Sequence, residues 1–274
     1  MVFCSHEEAD TRILLHVFGA AKKLSRIMVR TVDTDVVVLC VLNVYKFQVD
    51  ELWPIAFGTV KHMRYIPTHA IANSLGQAKS NALLFFHALT GCNTVSSFCG
   101  RGKKTAYETW RAYPTITPVF QRLASIPAQI TDEDFAELER FVVLLYDRTS
   151  SHSEVNRIRQ VLFSKSTRSL ENIPPTQAAL QEHIKRAVLQ AGHIWSQTTI
   201  KIPKLPRPEL WGWRPCEHGW TPKWTTLPEA SKVCQELIRC GCKKACHGLC
   251  KCSKAGLPCT SLCYCSGNCH RQDT

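Results

Sequence analysis

Ile27-Met28-Val29-Arg30-Thr31-Val32 runs directly into Asp33-Thr34-Asp35 and then into Val36-Val37-Val38-Leu39. The first six residues read as a buried strand, because they form a short apolar run rich in β-branched side chains. Upstream, Ser5-His6-Glu7-Glu8-Ala9-Asp10-Thr11-Arg12 leads into Ile13, Leu14, Val17, Phe18 and Ala21 at helical spacing. Ser5 is the expected N-cap, and acidic side chains suit the first turn of a helix. A helix followed by a strand that ends in D-x-D predicts an α/β fold with a parallel sheet, the carboxylates standing at the carboxyl edge of a strand.

Carboxylates gathered at such an edge suit Mg²⁺ or Mn²⁺, which prefer hard oxygen ligands. Two such ions about 4 Å apart are a common device for phosphodiester cleavage. Taken alone, the first cluster reads as simple helix N-terminal charge and the second as a strand-end turn. A third element bears on the choice. From Asn81 to Pro114 an apolar helix is followed by Gly91-Cys92-Asn93, a short loop, then Gly100-Arg101-Gly102-Lys103-Lys104 and a second helix. A glycine hairpin that opens a helix offers backbone N–H groups to a phosphate, with three basic side chains beside it. A helix-helix turn with solvated lysines is the plainer alternative.

In order, E-A-D, D-T-D, G-C-N and G-R-G-K-K-T-A resemble the carboxy-terminal part of the flap-endonuclease (XPG/PIN-like) nuclease domain, over residues 4–114. The resemblance implies that Glu8, Asp10, Asp33 and Asp35 ligate Mg²⁺ or Mn²⁺, with Asn93 at a further ligand position. It also implies a helix-hairpin-helix in which Gly100, Arg101, Gly102, Lys103 and Lys104 grip a nucleic-acid backbone. Two departures point away from catalysis. Asn93 stands where the family has an aspartate, and the chain begins after the strands that carry the family's first aspartates. The expected sheet is therefore an incomplete PIN-like one, with an exposed edge.

The middle reads as helical. Thr131-Asp132-Glu133-Asp134 is a cap-and-acid signature ahead of Phe135, Leu138, Val142 and Leu145. A second helix is expected near Glu154 to Phe163, and a third after Pro174-Pro175-Thr176. Pro203, Pro206, Pro208, Trp211, Trp213, Trp220 and Trp224 mark 198–230 as an extended connector, through which a protein partner is expected to dock.

Nine of the 15 cysteines fall between residues 240 and 269: Cys240, Cys242, Cys246, Cys250, Cys252, Cys259, Cys263, Cys265 and Cys269. Three tetrahedral zinc ions need twelve contacts, which six terminal and three bridging thiolates supply. The segment has too few apolar residues to bury a core, so metal binding must supply its folding free energy. An odd cysteine count disfavours a disulfide knot, and ordered spacers such as Ser253-Lys254-Ala255-Gly256-Leu257-Pro258 disfavour a metallothionein-like sponge. The run resembles one CXC repeat, as in tesmin-type proteins and the pre-SET region of Polycomb methyltransferases. That resemblance implies a three-zinc cluster and DNA binding. One repeat stands here where tesmin-type proteins usually have two, and Leu249 occupies the position of their DNA-contacting tyrosine. Nine thiolates and three zinc ions carry −3, which leaves the module weakly basic; Lys243, Lys244, Lys251 and Lys254 are its candidate phosphate contacts.

The net charge of +12 points to a polyanionic partner. No window approaches the ~18 apolar residues of a membrane span, and the amino terminus lacks a signal-peptide pattern. The expectation is an intracellular, nuclear protein that meets no membrane. Its organisation is a truncated nuclease-like region (1–114), a helical region (115–197), a linker (198–230) and a zinc module (231–274). The expected function is nucleic-acid binding by an inactive nuclease-like domain, with DNA as the partner and RNA an alternative. A fragment of an active Mg²⁺-dependent structure-specific nuclease and a protein-interaction scaffold are the competing readings.

Overall fold

The computed structural model describes residues 3–56, 64–164, 172–226, 240–242, 250, 252, 259 and 263–265. The chain divides into two compact units, Met1–Thr226 and Leu227–Thr274.

The first unit is a mixed α/β fold. Helix α1 (Ala9–Ala21) leads to strand β1 (Arg26–Thr31), helix α2 (Thr34–Phe47) and strand β2 (Glu51–Ala56). Strands β1 and β2 pair in parallel, from Arg26 opposite Glu51 to Thr31 opposite Ala56. Parallel neighbours need a crossover, which α2 provides. A short strand β3 (Arg64–Tyr65) then pairs antiparallel with β2, so the sheet is mixed rather than purely parallel. Within the described residues β1 is an edge strand, with Met28 exposed.

Ser5 does not cap α1. Glu8 holds the N-cap position and gives no side-chain cap hydrogen bond. The reason is the neighbouring His6, which is buried. Its Nδ1 lies 2.9 Å from Thr11 Oγ1 and its Nε2 lies 2.6 Å from the Ile200 carbonyl. Ser5 N–H donates to the Lys201 carbonyl at 3.0 Å, which holds the segment extended.

Helix α3 (Thr68–Leu89) is apolar on more than one side of its carboxy-terminal half, where Leu84, Phe85, Phe86 and Leu89 are all buried. One sheet-facing contact cannot cover so much surface. Helices α4 (Lys103–Ala112), α5 (Thr117–Leu123), α6 (Asp132–Tyr146), α7 (Val155–Ser164) and α8 (Gln177–Val188) supply the rest. Phe85 and Phe86 both meet Phe120 of α5, with ring centroids 5.6 and 6.1 Å apart. A single core thus runs from Leu14 to Trp195, with the helices after residue 114 packed against the elements before it.

The expected cap of α6 is present, and α8 has one as well. Thr131 and Asp134 form a capping box at α6, and Thr176 accepts from Ala179 N–H at α8. Helix α8 continues through a π-helical stretch, Leu189–Ile194. The expected connector from 198 is also different: residues to 226 belong to the first unit and include a hairpin of β4 (Trp213–Cys216) and β5 (Gly219–Pro222). Arg186 Nη1 donates to the Gly212 and Lys223 carbonyls at 3.1 and 2.7 Å, and Trp211 packs on His193 at 4.5 Å.

Phe120→Ala, in the middle of this shared core, is expected to cost about 3–5 kcal/mol. Urea unfolding should show one transition shifted for the whole first unit. Loss of only residues 115–197, with 1–114 still folded, would contradict a shared core.

Candidate metal centres

The first centre lies where β1 passes into α2. Asp33 caps the helix: its Oδ1 accepts from Asp35 N–H at 2.8 Å, while its own N–H donates to Thr31 Oγ1 at 3.0 Å. Asp35, in the first turn of α2, is 4% exposed and accepts from His87 Nε2 at 2.8 Å. Asp10 enters from the first turn of α1. One oxygen each from Asp10, Asp33 and Asp35 lies within 4.8 Å of the other two.

Crowding of this kind has an electrostatic signature. Burial, followed by the charges of Asp33, Asp35 and Glu8, pushes the Asp10 carboxyl up to about 6. A divalent cation among the three would reverse that direction by favouring the charged form. Three hard oxygen donors at this separation fit Mg²⁺ or Mn²⁺.

The other two expected ligands stand differently. Asn93 reaches the cluster, but through its Nδ2, which donates to Asp33 Oδ2 at 3.2 Å. Glu8 lies outside the group of three: Oε1 accepts from Gln190 Nε2 at 2.7 Å and Oε2 from Trp195 Nε1 at 3.2 Å. Burial raises its carboxyl above the ordinary value. His87, Gln190 and Trp195 were not anticipated from sequence. Only His87 left a trace, as the single polar residue in Leu83-Leu84-Phe85-Phe86-His87-Ala88-Leu89, and a lone histidine in an apolar helix is a weak signal.

At the glycine pair, Gly100 adopts φ +66° and Arg101 N–H donates to the Phe98 carbonyl at 3.0 Å, making a turn that delivers Gly102 to the N-cap of α4. No side chain caps this helix. Lys103 points inward. Its Nζ donates to the His87 and Gly91 carbonyls and Thr90 Oγ1, at 2.9, 2.5 and 3.1 Å. It therefore holds the carboxy-terminal end of α3, where a cation is favoured, and burial lowers it to about 8. The Arg101 guanidinium lies 4.8 Å from the Tyr146 ring centroid, and Lys104 is exposed.

The second centre lies in Leu227–Thr274. Sulfurs of Cys240, Cys259, Cys263 and Cys265 lie within 4.8 Å of one another, as do those of Cys240, Cys242 and Cys250. Cys240, Cys252 and Cys263 are buried, with the Cys252 and Cys263 sulfurs 3.5 Å apart. Burial and the adjoining Cys263 and Cys240 sulfurs push the Cys252 thiol up to about 11. Bound zinc would instead hold such thiols deprotonated. A set of sulfurs gathered this closely fits zinc. Cys246, Cys269, Lys243, Lys244, Lys251 and Lys254 lie outside the described residues.

No helix among the described residues is long and apolar enough to cross a membrane. No protein-family model, curated protein or solved structure matches the chain.

Because the Asp10 carboxyl is raised from 3.8 to about 6, the folded state holds the extra proton and stability falls as pH rises through that window. Asp10 is partly exposed, so screening leaves an effect on the order of 1 kcal/mol. Asp10→Asn is expected to raise the melting temperature at pH 7 and flatten its decline between pH 4 and 6. Mn²⁺ should stabilise the wild type more than the variant. Equal Mn²⁺ shifts in both proteins would exclude Asp10 as a ligand.

Proposed function

We propose that this chain is a zinc-containing nucleic-acid-binding protein whose first unit holds one divalent cation against the phosphodiester backbone without cutting it. The observation that carries this reading is the convergence of Asp10, Asp33 and Asp35, from two helix starts, on a space within 4.8 Å. A cation held there would neutralise charge on a phosphate oxygen.

The ligand set favours binding over cleavage. Two-metal cleavage needs ligands for two ions. Among the described residues only three carboxylates gather at the site, because Glu8 is held by Gln190 and Trp195 and the Asn93 amide occupies Asp33. The ordered likeness to flap-endonuclease, PIN-like domains supports a nuclease-derived fold in which that one charge is lost. Phosphate contacts are assigned to the uncapped start of α4, with Lys104 exposed in its first turn and Arg101 beside it. Lys103, committed to three oxygens, serves to fix the turn.

The cysteine unit is assigned three zinc ions on nine thiolates, in the manner of a CXC repeat. Support comes from Cys240, which belongs to both described sulfur groups, as a bridging thiolate would. With DNA as the partner, its lysines would add to the phosphate contacts.

Native mass spectrometry is expected to find three zinc ions per chain, and Cys240→Ser should lose more zinc than Cys242→Ser. Equal losses would remove the bridging assignment. For the first unit, DNA binding should weaken steeply with salt, and its enhancement by Mn²⁺ should vanish in the Asp33→Ala, Asp35→Ala double variant. Wild-type protein should leave DNA intact in Mg²⁺, whereas Asn93→Asp, which returns a carboxylate, is expected to gain slow Mg²⁺-dependent cleavage. Cleavage by the wild type would replace the binding reading with a nuclease.

A further inference from the structure

Beside the carboxylate cluster lies a second cavity, of about 370 Å³, which the proposed cation site does not use. That volume falls within the range of small-molecule sites, ~300–1,000 Å³. Trp213 and Trp220 of the hairpin line it together with Pro203 and Pro208, and so do Glu8 and Gln190. Aromatic side chains in a lining that also offers hydrogen-bonding groups suit a flat heteroaromatic molecule.

Two features narrow the chemistry. Glu7 and Glu8 outnumber Arg186 among the lining side chains, which disfavours a phosphate inside. The cavity also adjoins the cluster through the chain itself: Glu8 is two residues from Asp10, and Thr94, another lining residue, follows Asn93. Thr94 Oγ1 donates to Gln190 Oε1 at 2.8 Å and Gln190 donates to Glu8. The amide and carboxylate can present donor and acceptor groups to a base edge.

The tryptophan wall is anchored. Arg186 is buried and holds Gly212 and Lys223 on either side of the hairpin. Gly212 has φ +80°, and a Cβ there would lie 2.6 Å from the Glu182 carbonyl, so the backbone approaches α8 as only glycine allows. Trp220 remains 46% exposed on this fixed support.

We propose that this cavity takes one unpaired nucleobase, stacked on Trp220, of a single-stranded nucleic acid whose backbone phosphate lies at the carboxylate cluster. The proposal rests on the nucleic-acid reading given above and adds the form of the ligand. Stacking tolerates any base, because each has a π-face.

The test uses the full, zinc-loaded chain and fluorescence anisotropy with two labelled single-stranded hexanucleotides, one carrying bases and one wholly abasic on the same backbone. The base-bearing probe is expected to bind about tenfold more tightly. Trp220→Ala should remove that difference and Trp220→Phe should retain much of it. Equal binding of both probes by the wild type overturns the base pocket and leaves phosphate binding standing. A Trp220→Ala variant that loses both probes equally also overturns it. Failure of both probes to bind overturns the nucleic-acid reading itself.

Discussion

Asp35 and His87 meet at 2.8 Å, both buried, and this contact joins the start of α2 to the carboxy-terminal half of α3. Such a pair is costly to desolvate, and removing one partner leaves a buried polar group unsatisfied, at about 3–5 kcal/mol if the remaining group is charged. The surroundings bear on both partners. Asp35 sits in the first turn of a helix, where its charge is favoured, and the His87 ring lies 6.0 Å from Trp195. The α3 end is in turn held by Lys103, whose Nζ takes the His87 carbonyl. Core, strand-to-helix junction and glycine turn are therefore mechanically one object. A displacement of α3 would move Asp35, and with it the carboxylate cluster.

That coupling explains how much of the molecule was legible in the sequence. Ile27–Val32 read as a strand because its pattern is local, and the T-D-E-D cap of α6 read correctly for the same reason. Asp10 was singled out at the head of a helix and Asp33 and Asp35 at the end of a strand; in the structure Asp33 caps α2 and Asp35 stands in its first turn. The role of Glu8 was not legible. Its carboxylate is set by Gln190 and Trp195, some 180 positions away, and no local pattern announces such a partner. Lys103 was misjudged for a related reason. A lysine beside glycines looks solvated until the helix end that needs its cation is placed next to it.

The segment from 198 to 226 teaches the converse. Proline and tryptophan at that density suggest an extended chain, and proline does deny the backbone a donor at several positions. Yet the hairpin forms, because Arg186 gathers two carbonyls from its flanks and Gly212 permits the close approach to α8. A buried arginine with backbone acceptors is a strong anchor, since each bond to a charged donor counts for more than a neutral one. The exposed tryptophans are thus presented from a fixed surface rather than a loose tether.

Asn93 has a structural consequence at the carboxylate cluster. A carboxylate at that position would make four negative groups around Asp33, against a neighbourhood already able to push Asp10 up to about 6. Such a site is held together only with cations present. The amide instead donates a hydrogen to Asp33, which lowers the electrostatic cost of gathering the acids. The amide therefore lets the strand-to-helix junction keep its shape with one ion or none. In a binding protein that is an advantage, because the surface offered to a phosphate backbone is formed before the ligand arrives. In a nuclease it would forfeit the charge that polarises the reacting oxygen, so stability at this junction and two-ion chemistry pull the choice of residue in opposite directions.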